Sequence, residues 1–145
     1  MFDNFNISAS GLTAQRLRMD VISENIANVN TTRNADGEPY RRKIPVFSEK
    51  QGSFNQILNS KMAKGSSEAK GVEVDSIRED QSPLKMKYDP QHPDANENGY
   101  VAMPNVNVSS EMVDMISASR AYEANVTALE TSKDMAQQAL RISQG

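Results

Sequence analysis

Apolar residues near the start of the chain recur at heptad spacing. Phe5, Leu12, Met19 and Ile26 lie seven apart, and Ile22 and Val29 fall on the interleaved positions, where Ser8 and Gln15 are the polar members. That spacing predicts one apolar stripe along one face of a helix. The helix should begin near Ser8 or Ser10 and end near Asn28-Val29-Asn30, where Thr31 and Thr32 add turn formers. At about 1.5 Å per residue it would be on the order of 30 Å long. The C-terminal stretch repeats the pattern more strongly. Met112, Met115, Tyr122, Val126, Leu129, Ala136 and Leu140 share one heptad frame, with Ser119, Lys133 and Ser143 as polar exceptions. Val113 and Ile116 widen the stripe. Asn107 or Ser109 can cap its start, and Glu111 suits the positive end of the helix dipole. The result is roughly 35 residues of helix without an internal breaker, longer than globular domains normally use.

Between these stretches the period changes. Tyr40 to Phe47 reads as a strand interrupted by Pro45, and Gly71 to Ile77 alternates, with Val72, Val74 and Ser76 on one face. Leu84 to Tyr88 alternates too, and Tyr100 to Met103 is a short fourth candidate. Asn34 to Gly37 and Asn96 to Gly99 are turns. Residues 51–70 are rich in Ser, Gly, Lys and Ala around one apolar patch, and read as a loop or a marginal short helix. All six prolines fall within 33–106. The expected fold is therefore α+β: long N- and C-terminal helices (1–32 and 107–145) around a small β-rich middle (33–106). A middle of this size, poor in aromatics, cannot cover both faces of helices this long. The helices are expected to pair with each other as an antiparallel coiled coil, and then with helices of other copies.

Charge narrows the partners. The 16 basic and 19 acidic residues give a net charge of −3 and are dispersed along the chain, so there is no basic face for nucleic acid. The absence of cysteine among the 145 residues excludes a disulfide scaffold, a thiolate metal site and a cysteine nucleophile. No apolar run approaches the ~20 residues of a membrane span. The N-terminus lacks the basic start and apolar stretch of a secretory signal.

Three segments carry candidate chemistry. Asp94-Ala95-Asn96-Glu97-Asn98-Gly99 matches the first half of an EF-hand loop, but the twelfth position is Asn105 rather than a glutamate, and Pro90 and Pro93 break the approach. A turn-rich surface loop is the default reading. His92, the only histidine, lies near Asp89 and Asp94; the bland alternative is a rigid loop fixed by prolines. Arg41-Arg42-Lys43 is the densest basic run and reads as a solvated strand edge. No phosphate loop, nucleophile elbow or carboxylate pair stands out, so no enzyme activity, cofactor or small-molecule substrate is expected.

The residues then resemble a known family. Ser10-Gly11-Leu12-Thr13-Ala14-Gln15-Arg16, with Met19 to Thr32, is similar to the N-terminal signature of bacterial flagellar rod and hook proteins. Tyr88 to Ala95, Gly99 to Asn107 and Glu111 to Val126 resemble the C-terminal half of the proximal-rod members. The resemblance implies a structural subunit of the flagellar basal-body rod, self-assembling into a helical, tubular driveshaft around the export channel. Implied partners are copies of itself, other rod proteins and the flagellar type III export apparatus, with the membrane ring and hook-side axial proteins indirectly. The implied location is the basal body in the cell envelope, reached without a cleavable signal peptide. The assembly helices would use Leu12, Met19, Ile22, Ile26, Val29, Met112, Met115, Ile116, Tyr122, Val126, Leu129 and Leu140. Gln15, Asn25, Asn28, Arg120 and Glu123 are candidates for polar contacts between subunits. Without neighbours each helix buries too little to offset its ordering entropy, so the ends of an isolated chain are expected to be partly disordered. The rivals are a distal rod or hook-like protein, a small metal-binding protein using the Asp89–Asn98 loop, and a coiled-coil adaptor of low oligomeric order.

Overall fold

The computed structural model describes residues 2–50 and 71–143; the expectation for 51–70 lies outside the described residues. The order is α1 (Phe2–Ala27), β1 (Lys43–Glu49), β2 (Val72–Glu79), β3 (Lys85–Tyr88), β4 (Tyr100–Met103) and α2 (Val108–Ser143). The fold is α+β: two long helices, and between them two antiparallel two-stranded sheets, β1–β2 and β3–β4.

Helix α1 begins earlier than the serines suggest. Ser10 does not cap it: its hydroxyl donates to the Ile7 carbonyl at 2.6 Å and accepts the Val72 amide at 3.1 Å, tying α1 to β2. The end is as expected, with a turn over residues 28–30 in which Asn28 donates to the Glu24 carbonyl. Helix α2 starts where Asn107 caps it, accepting the amides of Ser109 (3.0 Å) and Ser110 (3.4 Å).

The helices run antiparallel. Asn25 meets Glu111, Arg18 meets Asp114, and Gly11 lies against Asn125. The packed seam is not the one the apolar spacing marks. On α1 the most enclosed positions are Gly11, Ala14, Val21, Ile22 and Asn25, whereas Leu12, Met19, Ile26 and Val29 are half-buried. On α2 they are Glu111 and Ala118, with Met115, Tyr122, Asn125, Leu129, Ser132 and Ala136 half-buried behind them. The seam is thus one position away from the predicted frame on α1, and on every second row of α2. Beside Val21 and Ile22 its members are small or polar, and at Gly11 the missing side chain lets the Asn125 amide lie against the α1 backbone.

In the first sheet Lys43 pairs with Glu79 and Glu49 with Val72, and a bulge between Val46 and Phe47 shifts the register. Pro45 is tolerated because both strands of a two-stranded sheet are edges. Val72, Val74 and Ser76 are half-buried while Glu73 and Asp75 are exposed, as the alternation predicts, and both strands contact α1. In the second sheet the alternation of Leu84–Tyr88 produces no buried face, because all four β3 residues are exposed. Met86 and Tyr88 face solvent, and Val101 of β4 supplies the buried contact. Lys85 lies along the inner side and donates to the Val106 carbonyl at 2.6 Å. Gly37 and Gly99 sit at positive φ (83° and 76°) in the two predicted turns, where a side chain would be strained. The core is small: Ala14, Val21, Ile22, Tyr40, Val101, Val106 and Ala118.

Candidate assembly surface and the polar clasp beneath it

The charged run at 41–43 does not behave as a solvated edge throughout. Arg42 turns inward, donating from Nε to Glu111 at 2.5 Å and from a terminal nitrogen to Asp114 at 3.2 Å. Arg18 of α1 reaches the other Asp114 oxygen at 3.3 Å. Glu111 is fully buried, so its charge depends on these partners. Its second oxygen accepts from Asn25 at 3.0 Å.

Asn25 is the hub. Its amide nitrogen also donates to the Lys43 carbonyl, and its oxygen accepts from the Lys43 amide and the Tyr40 hydroxyl, each at 2.9 Å. All four bonding positions of the side chain are used, which is what makes a nearly inaccessible amide tolerable. The Arg42 amide in turn donates to Asn105 at 2.8 Å, and Asn105 donates to the carbonyls of Asp80 and Ser82. One connected network therefore fixes the end of α1, the entry to β1 and the first turn of α2. Burial pushes the Tyr40 hydroxyl up to about 12, helped by the nearby Glu24, Glu111 and Glu79 carboxylates. Hydrogen bonds from Ser82 hold the Asp80 carboxyl below its usual range.

The His92 loop is also committed to structure. Asp94 accepts from Thr32 at 2.8 Å and pairs with Arg33 at 2.6 Å, and its amide donates to His92 Nδ1 at 3.1 Å. Asn96 accepts the amides of Asn98 and Tyr100. The EF-hand-like oxygens are thus taken: those of Asp94 tie the loop to Thr32 and Arg33, and that of Asn96 closes the loop on itself. Among the described residues no group of three His, Asp or Glu side chains could hold a metal ion.

Of the residues expected on the assembly helices, Ile22 is buried; Leu12, Met19, Ile26, Val29, Met115, Tyr122, Val126 and Leu129 are half-buried; Met112, Ile116 and Leu140 are exposed. Val113, Met135 and Ile142 are exposed as well. Of the polar candidates, Asn25 belongs to the clasp, Asn28 closes the α1 turn, and Arg120 and Glu123 are exposed. Gln15 is half-buried, and its Oε1 is the one enclosed side-chain polar atom among the described residues without a hydrogen-bond partner. Sequence reasoning missed Arg18, Tyr40, Arg42, Glu111 and Asp114 as one unit. The heptad frame gave no signal for it, because it placed Met112 and Ser119, not Glu111 and Ala118, on the side facing the partner helix. No described helix is long and apolar enough to cross a membrane.

The family described as "Flagella basal body rod protein" matches residues 5–33, and that described as "Flagellar basal body rod FlgEFG protein C-terminal" matches residues 97–142. The chain is 50% identical to the flagellar basal-body rod protein FlgC of Bacillus subtilis (strain 168), over 97% of each chain. It is 50% identical to FlgC of Borreliella burgdorferi, over 100% of this chain and 99% of that one. Against FlgC of Salmonella typhimurium it is 41% identical, over 97% and 96%. Matched along its whole length, from the striped helices through the clasp to the His92 loop, the chain belongs to the FlgC family of flagellar basal-body rod proteins.

Proposed function

We propose that this chain is a structural, non-catalytic subunit of the proximal part of the flagellar rod, assembling with copies of itself and other rod proteins into a tubular driveshaft. The observation that carries this reading is the displaced seam. Within the chain the helices pack through Gly11, Ala14, Asn25, Glu111 and Ala118, which leaves larger apolar residues beside the seam only half covered or open. Leu12, Met19, Ile26, Met112 and Ile116 are then available to neighbouring helices in a coiled-coil layer. The middle, 33–106, would form the outer part, with 1–32 and 107–145 as the inner one. A subunit of this kind works by contact alone and takes no cofactor or small-molecule substrate. It would reach the basal body in the cell envelope through the flagellar export apparatus, without a cleavable signal. The test is complementation in a flagellated host lacking its own copy of this subunit. The wild-type chain should restore motility and co-purify with basal bodies. Met112→Glu with Ile116→Glu should be exported and folded but fail to assemble. Restoration of motility by that double variant, or absence of the wild-type chain from basal bodies, would refute the reading.

A further inference from the structure

The His92 loop carries chemistry that the proposed rod function does not use. Between Tyr88 and Tyr100 the chain turns back on itself: the Asp89 amide donates to the Gly99 carbonyl and the Asn96 amide to the Tyr100 carbonyl, each at 2.9 Å. His92 stands inside this turn and is bonded at three atoms. Its amide donates to the Asp89 carbonyl (3.2 Å), its carbonyl accepts the Ala95 amide (3.0 Å), and its Nδ1 accepts the Asp94 amide (3.1 Å). An imidazole nitrogen that accepts carries no proton, so the ring is neutral here, with its proton on Nε2. Pro93 fixes the backbone between the two residues and has no amide of its own to compete for the ring. The Asp94 carboxylate reaches out of the loop. One oxygen accepts from the Thr32 hydroxyl at 2.8 Å and the other pairs with Arg33 at 2.6 Å. Thr32 and Arg33 follow the turn that ends α1, and the adjacent Thr31 carbonyl accepts the Tyr40 amide at 3.1 Å. The loop is thereby tied to the strip of chain between α1 and the clasp.

We infer that His92 is a proton-operated latch: the neutral ring holds the Asp94 backbone and so aims its carboxylate at Thr32 and Arg33, and the protonated ring releases Asp94 and uncouples the loop from the exit of α1. The inference concerns the chain itself and does not rest on the rod function. A second proton on the ring sets an N–H against the Asp94 N–H, so that bond is lost and the ring must turn away. The charged groups around it are Asp89, Asp94 and Glu97 of the same loop and Arg33 of the strip after α1. The carboxylates give the new cation partners once it turns, and at Asp94 it competes with Thr32 and Arg33 for the same oxygens. Histidine is the side chain whose ordinary charge change falls between pH 5 and 8. Carboxylates ordinarily stay charged above about pH 5. The latch is therefore closed at neutral pH and opens in mild acid.

The chain has one histidine, so its ring protons can be followed by NMR without overlap while amide exchange is read on the same full-length sample. Between about pH 7.5 and about pH 5.5, protection corrected for intrinsic exchange should fall about fivefold, the factor one lost hydrogen bond carries. The fall should appear at Asp94 and Ala95, and with them at the bonded amides of Thr31 and Asn34 across the latch. Its midpoint should coincide with that of the ring. His92→Asn is the control: its side-chain oxygen can accept the Asp94 amide as in an Asx turn, and it does not titrate. That variant should keep its protection throughout. Constant protection in the wild-type chain while the ring titrates overturns the latch. So does an equal loss in the His92→Asn variant, which would assign the change to the carboxylates. Loss at Asp94 and Ala95 alone, with Thr31 and Asn34 unchanged, overturns the coupling to the exit of α1. The wild-type titration decides the matter even where the variant fails to fold.

Discussion

Tyr40 shows how one residue can report on the whole clasp. Its hydroxyl donates to Asn25 beside the fully buried Glu111, and its pKa stands near 12 against 10.0 for an unperturbed tyrosine. A raised pKa means that the folded state favours the neutral form. The associated stability is fully present below pH 10 and disappears as pH rises from 10 through about 12. The loss across that window should be on the order of 2 kcal/mol. Urea unfolding at a series of pH values should show it, and Tyr40→Phe should flatten the alkaline decline while costing about 1 kcal/mol at neutral pH. None of this was legible in the sequence. Asn25 read as a candidate contact between subunits and Arg42 as a surface charge, because only the fold brings residues 25, 42 and 111 together.

At the scale of elements, the sequence located the two helices and four strands of the described residues, and it misplaced the helix–helix seam. Periodicity counts large apolar side chains, whereas the seam needs closeness. Gly11 illustrates the difference: a Cβ there would lie 2.8 Å from the Asn125 Oδ1 and 3.1 Å from its Cγ. Because the obstacle is a side-chain amide, Gly11→Ala should be nearly neutral, the clash offset by about 1 kcal/mol of helix propensity. Gly11→Leu should force the helices apart and cost about 1–3 kcal/mol in chemical denaturation. The β3–β4 hairpin gives a second lesson. The alternation of Leu84–Tyr88 marks no buried face, since all four β3 residues are exposed and Val101 of β4 makes the buried contact instead.

For the whole molecule, the buried residues gather at one end of the helix pair, around the clasp and the start of α2, while the far end of α2 carries exposed Met135, Leu140 and Ile142. The apolar stripes alone predict that both ends of an isolated chain are partly disordered. The clasp divides that expectation: its end of the pair is held by buried bonds within the chain, and the far end of α2 keeps its apolar side chains exposed. Family membership was legible early because the signature lies in the helices and the His92 loop. The asymmetry was not, because it follows from the register between two segments about a hundred residues apart.

Hydrogen exchange on the dilute, monomeric chain tests the central claim most directly. Amides of 14–25 and 108–121 should exchange slowest, protection should fall along α2, and 135–143 should exchange nearly as fast as an unfolded peptide, becoming protected only in assembled rods. Uniformly slow exchange to the end of α2 in a proven monomer would mean that the helices are already complete, and would contradict an account in which other copies of the chain finish the fold.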